Sequence, residues 1–235
     1  MQSFEDTLCQ VLAENKGKRV VCFCYEGQKY WLKQVEQQKG AEKFLKPFPT
    51  KAIQLEIKRL KWLNQRHVPT AQLVYSGDDY FVTTDVGDCV SQLLQNSDKS
   101  EDEKQQVIAQ SAQKLAELHN KNLVHGRPAI RDITYLNNQV YFIDFEAKSL
   151  FSSLYYQKRR DVIVFFYSMF QAKIDEKYIH IAMQNYAKTN PENWQASLNL
   201  LKRLSFIYYI CLPFKSVARS DLISIYGLFE VLLDK

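Results

Sequence analysis

Leu123-Val124-His125-Gly126-Arg127-Pro128-Ala129-Ile130-Arg131-Asp132 and, one short hairpin later, Phe142-Ile143-Asp144-Phe145-Glu146 are the segments whose reading decides the fold. Between them lie two apolar alternations, Ile133–Leu136 and Val140–Ile143. Asn137-Asn138 separates them, and asparagine tolerates the left-handed backbone of a tight turn, so the spacing predicts a hairpin. Asp144 then falls at a strand end between Ile143 and Phe145, where an acid ordinarily has a charged partner or a metal ion.

On the N-terminal side of this core, Ser100 and Glu103 form a capping-box pattern that opens a long helix ending near His119. Its inward stripe is Val107, Ile108, Ser111, Leu115 and Leu118. On the C-terminal side Asp161 opens a strongly apolar helix, and the pattern after Phe151 is helical throughout. His119 reads as a helix-end residue, and His125 as a hydrogen-bonding residue that packs its loop.

The first part of the chain has a different texture. Residues 3–15 form a short amphipathic helix with Phe4, Leu8 and Leu12 on one stripe. Arg19–Tyr25 and Gln28–Gln34 predict two strands around a Glu26-Gly27 turn, with Lys33 near the end of the second. A basic loop with Pro47 and Pro49 leads to a helix over Thr50–Gln65, which places Ile53, Ile57, Leu60 and Leu63 at helical spacing and carries Glu56. A second hairpin joins Ala71–Tyr75 to Tyr80–Thr84 and runs on through Asp85-Val86-Gly87. The polar stretch Gln95–Asp102 marks the link between the two textures. The expected organisation is a β-rich lobe with a preceding helix over 1–95 and a helical lobe over 96–235.

Composition narrows the functional classes. Hydrophobic residues make up 46% and charged residues 24% of the 235, which excludes a disordered or fibrous chain. The longest apolar runs, Val162–Phe170 and Leu204–Phe214, fall short of the roughly 18 residues of a membrane span. Glu5 and Asp6 stand where a signal peptide would be basic, so neither a signal peptide nor a transmembrane segment is expected. The scattered cysteines exclude a disulfide framework. Cys22 and Cys24, alternating with aromatics on a strand, are expected as buried thiols in a reducing cytoplasm rather than as metal ligands. The net charge of +5 is concentrated at Lys39, Lys43, Lys46, Lys51, Lys58, Arg59, Lys61 and Arg66, opposed within that stretch by Glu42 and Glu56. This face suits an anionic membrane or glycolipid, a phosphorylated glycan or nucleic acid, or else is a solvated helix surface. With so small an overall charge and no nucleic-acid motif, no specific nucleic-acid partner is expected.

The order Lys33, Glu56, Asp85-Val86-Gly87, His125-Gly126-Arg127, Asp132, Asp144 and Asp161 resembles the protein-kinase superfamily from about residue 19 to residue 170. It looks most like the bacterial lipopolysaccharide-kinase branch, whose small relatives carry a His-Gly-Arg-Pro-Ala-x-Arg-Asp segment. The resemblance implies an α+β, two-lobed, protein-kinase-like fold: a small antiparallel β lobe plus one helix, then a mainly helical C-terminal lobe. It implies that ATP and Mg2+ (or Mn2+) are bound. Lys33 would hold the nucleotide phosphates and pair with Glu56, and Asp85, where the strand meets the hinge, would join them at the nucleotide. Asp144 and Asp132 would be the metal ligands, and Asp161 would buttress the backbone of the His125 loop. Such residues match a chemistry that rests on positioning and charge neutralisation.

The chain departs from the kinase pattern at several points. Arg127 stands where the catalytic aspartate is usual, and a guanidinium stays protonated near neutral pH and cannot act as a general base. Asp132 replaces asparagine, no Gly-x-Gly-x-x-Gly loop precedes Lys33, and Glu146 stands where glycine is usual. Arg127, contacting transferred phosphate or acceptor, and Asp132, moving between metal and base roles, are the candidate catalytic residues. The expectation is an ATP-dependent phosphotransferase acting on a lipid-linked sugar at the cytoplasmic, inner-membrane side of the envelope. The alternative is a pseudokinase that binds nucleotide and regulates a partner.

Overall fold

The computed structural model describes residues 2–35, 49–145, 153–217 and 219–233. The described chain is α+β, with small antiparallel sheets and many helices, and it divides into two compact units, residues 1–86 and 87–235.

In the first unit, helix α1 (Phe4–Glu14) starts on a capping box in which Ser3 accepts from the Asp6 amide at 3.1 Å and the Asp6 carboxylate accepts from the Ser3 amide. Strands β1 (Val20–Tyr25) and β2 (Gln28–Gln34) pair in register from Val20↔Lys33 to Tyr25↔Gln28. Glu26 and Gly27, both at positive φ, supply the left-handed turn whose twist matches a two-residue hairpin. Strands β3 (Leu73–Ser76) and β4 (Tyr80–Thr84) complete a sheet of order β1-β2-β4-β3.

Alternation gives this sheet two faces. One carries Phe23, Leu32 and Val82 and is covered by Leu8 of α1. On the other, Phe81 packs against Ile53 and Ile57 of helix α2 (Pro49–Gln65). Cys22 and Cys24 alternate with the buried Phe23, so both lie on the face opposite α1 and are exposed, contrary to the expectation of buried thiols. The second hairpin begins later than expected because the Asn64 side chain takes the local backbone groups. Its amide donates to the Ala71 carbonyl at 3.1 Å and its oxygen accepts from the Leu73 amide at 2.9 Å.

In the second unit, strand β5 (Asp88–Cys89) pairs with β6 (Ile133–Leu136), which pairs with β7 (Gln139–Phe142). Asn137 and Asn138 both have positive φ in the β6–β7 turn. Helix α3 (Val90–Gln95) follows β5 directly, so the polar 95–102 stretch connects α3 to α4 (Glu101–Asn120) inside this unit, and the division by contact falls after Val86. The α4 stripe Val107, Ile108, Ser111, Leu115 and Leu118 is buried, joined by Ala112, Ala116 and His119. Helices α5 (Leu154–Gln171), α6 (Glu176–Thr189), α7 (Pro191–Arg203), α8 (Ser205–Cys211) and α9 (Ser220–Leu233) build the rest. α4 packs along α6, and α5 packs against α7 and α9. The centre of this core holds Phe165, Phe166, Met169, Ile179 and Tyr186, each fully buried. Among the described residues no helix is long and apolar enough to cross a membrane.

Candidate functional site

The loop between α4 and β6 is held by side chains from several elements. Asp161, near the middle of α5 and fully buried, accepts from the His125 amide at 2.8 Å and from the Gly126 amide at 3.1 Å. A carboxylate removed from water needs such donors, since burying it alone would cost several kcal/mol. Behind it stands a second layer. His119 lies 3.4 Å from the Asp161 carboxylate through Nε2 and 2.5 Å from the Tyr186 hydroxyl through Nδ1, and the Asn193 amide donates to that hydroxyl at 2.7 Å. Burial holds the His119 imidazole below its ordinary pKa and pushes the Tyr186 phenol well above its own.

His125 works on the other side of the loop. Its Nε2–H donates to the Ile143 carbonyl at 2.9 Å, and its Nδ1 accepts from the Arg127 amide at 3.3 Å. These partners assign the neutral tautomer with the proton on Nε2. Burial drives its pKa down to about 4, outweighing the nearby Asp161 and Asp144 charges. Its ring stacks on Phe145, centroids 4.5 Å apart. Arg160 donates to the Gly126 carbonyl, and the Ser168 hydroxyl accepts from the Ile130 amide at 2.8 Å. Neither Arg160 nor Ser168 is visible from sequence as a loop-holding residue.

This framework fixes both acidic candidates of the second unit. Asp132 closes the 3-10 turn Ile130–Asp132 and is buried. Its carbonyl accepts from the Ile143 amide at 2.9 Å, which ties the two ends of the β6–β7 hairpin together. The exposed Arg131 guanidinium is 3.8 Å from its carboxylate. Asp144 follows with a positive φ of 61°, a conformation that aspartate tolerates better than most residues, and its side chain is half-exposed. The Arg127 guanidinium lies 3.7 Å from the Asp144 carboxylate. Glu146 lies outside the described residues.

In the first unit, the Lys33 ammonium on β2 forms an ion pair with the Glu56 carboxylate on α2, both partly buried. The ammonium also sits 5.9 Å from the centre of the Phe81 ring. Trp31, two residues before Lys33 and therefore on the same face of β2, donates its indole N–H to Asp85 at 2.7 Å. Asp85 is thus engaged with Trp31, a partner that sequence spacing did not suggest. On α2, the Arg59 and Arg66 guanidinium groups lie against the Trp62 ring, 5.2 and 4.0 Å from its centre. Lys51, Lys58 and Lys61 are exposed, whereas Lys39, Glu42, Lys43 and Lys46 lie outside the described residues.

The donor set is chemically suited to magnesium bound together with a nucleotide. Asp132 and Asp144 offer hard oxygen ligands, and magnesium is commonly held by one or two carboxylates plus phosphate oxygens and water. Among the described residues no cluster of three or more His, Cys, Asp or Glu side chains is gathered for a protein-only cage.

No family model matches the chain. An uncharacterised protein of Haemophilus influenzae is 40% identical over 234 residues, covering 99% of this chain and 97% of that protein. At that identity over nearly the full length of both, the chain belongs to one family with the Haemophilus influenzae protein.

Proposed function

We propose that the protein is a protein-kinase-like phosphotransferase of the lipopolysaccharide-kinase type, using ATP to phosphorylate a lipid-linked sugar at the inner side of the envelope. The observation that carries this is the ion pair between Lys33 and Glu56, which links a strand to a helix across 23 residues. A lysine on a partly buried strand end, steered by a carboxylate, is suited to neutralising phosphate charge. Asp132 and Asp144 would hold magnesium, which supplies further neutralisation on the phosphates. The Asp161 cradle fixes the His125–Asp132 loop, so that Arg127 is presented by a rigid backbone. Because its guanidinium remains charged, Arg127 stabilises phosphate or an anionic acceptor and removes no proton.

The Arg127–Asp144 approach of 3.7 Å favours a second reading, in which a fixed cation takes the place of a metal ion beside Asp144 and the domain regulates a partner. Phosphate transfer from labelled ATP to an envelope extract separates the two. For an enzyme, wild type transfers label above an Asp144→Ala background, and Arg127→Ala lowers turnover by roughly 100-fold while ATP affinity changes little. Transfer no greater than the Asp144→Ala background in any extract would hand the lead to the regulatory reading.

A further inference from the structure

Helix α8 and the 3-10 segment after it (Leu212–Val217) present apolar side chains outward. α8 contains no buried residue. Its inner side is anchored through Tyr208, whose hydroxyl donates to Glu230 at 2.9 Å and whose ring rests 6.0 Å from Tyr226 and 5.9 Å from Phe229 of α9. Phe206, Tyr209 and Ile210, spaced to share the other face of the helix, are 57%, 60% and 65% exposed. Leu212 and Phe214 continue the surface at 39% and 55%. So much contiguous apolar and aromatic surface marks an interaction site.

The charges around it indicate the partner. From Lys202 to Arg219 the chain holds four cations, Lys202, Arg203, Lys215 and Arg219, and no acidic residue. All four are exposed. Lys215 bonds Glu230 at 2.6 Å, so the α9 carboxylate that anchors Tyr208 is already neutralised. An apolar, tyrosine-bearing face flanked by lysine and arginine matches the boundary of an anionic bilayer, where rings enter the headgroup layer and cations meet lipid phosphates. A second copy docking through the same face would bring these cations against each other.

We infer that the outer face of α8, with Phe206, Tyr209 and Ile210 inserted and Lys202 and Arg203 on headgroups, docks the protein on an anionic lipid surface. This stands apart from the nucleotide chemistry, and the test contains no nucleotide, so either can fail without the other. The full chain is co-sedimented with phosphatidylcholine vesicles with and without phosphatidylglycerol. Wild type should pellet with the anionic vesicles, less so as salt rises. Phe206→Ser/Ile210→Ser should lower partitioning by at least roughly tenfold, as expected for losing buried apolar side chains. Lys202→Gln/Arg203→Gln should lower it by roughly fivefold per charge. Unchanged thermal melts of these surface variants confirm that they fold. Equal pelleting of wild type and Phe206→Ser/Ile210→Ser, or no pelleting of wild type, overturns the inference. So does loss of binding on Lys58→Glu/Lys61→Glu but not on the α8 variants, which would put the lipid contact on α2. A dimer in sedimentation velocity that Phe206→Ser/Ile210→Ser dissociates, without vesicle binding, would assign the face to a second copy.

Discussion

His125 is held neutral by its surroundings. It gives one proton to the Ile143 carbonyl, receives one from the Arg127 amide, and is enclosed by Phe142 and Phe145, so an imidazolium would lose an acceptor and all its hydration. With a folded pKa of about 4 against an ordinary 6.5, the unfolded chain binds the proton first as pH falls. The contribution of His125 is therefore complete above about pH 6.5 and is lost progressively down to about pH 4, at a slope of at most about 1.4 kcal/mol per pH unit. Urea titrations at pH 7, 6 and 5 should show wild type losing more stability than His125→Asn across that window. Parallel losses would mean that the imidazole is not held neutral. The role of His125 as a hydrogen-bonder that packs its loop was legible in the sequence. Arg160 and Ser168 were not, because a side chain that bonds a backbone group 34 or 38 residues away leaves no periodic mark in the sequence. Asp85 shows the same limit, since its indole partner is 54 residues distant.

Among the elements, the hairpins were readable because turn chemistry is local. Gly27, Asn137 and Asn138 occupy left-handed positions that their residue types favour, and Glu26 adopts one beside Gly27 to complete its turn. The two-residue β5 was missed because Asp88-Cys89 is too short for any alternation to register, and its pairing with Thr134 and Tyr135 is set by tertiary contact. Gly87 makes that pairing sterically feasible. Its φ is +84°, and a Cβ there would lie 2.2 Å from the Tyr135 carbonyl oxygen. Gly87→Ala should thus cost at least about 1 kcal/mol from the backbone conformation alone, with the steric overlap adding to it. Denaturant midpoints read the loss, and a variant as stable as wild type would show that the strand does not need this close approach. Cys22 and Cys24 carry a different lesson: alternation predicted correctly that they share a face, but not which face faces outward.

For the whole molecule, the change in texture along the chain foretold a β-rich part followed by a helical one. By contacts the chain divides after Val86, because β5 and α3 join the helical unit through pairings distant in sequence. The proposed activity depends on Lys33 for the nucleotide phosphates and on Asp144 for magnesium. The most direct measurement is calorimetric titration of ATP into wild type, Lys33→Ala and Asp144→Ala, with and without magnesium, alongside thermal melts of each protein. Wild type should bind ATP in a magnesium-dependent way, with affinity weakened roughly tenfold or more in each variant, as expected for losing one charge-assisted contact, and with the melts unchanged. Equal affinity in both folded variants, or no binding by wild type with or without magnesium, would rule out these roles for Lys33 and Asp144.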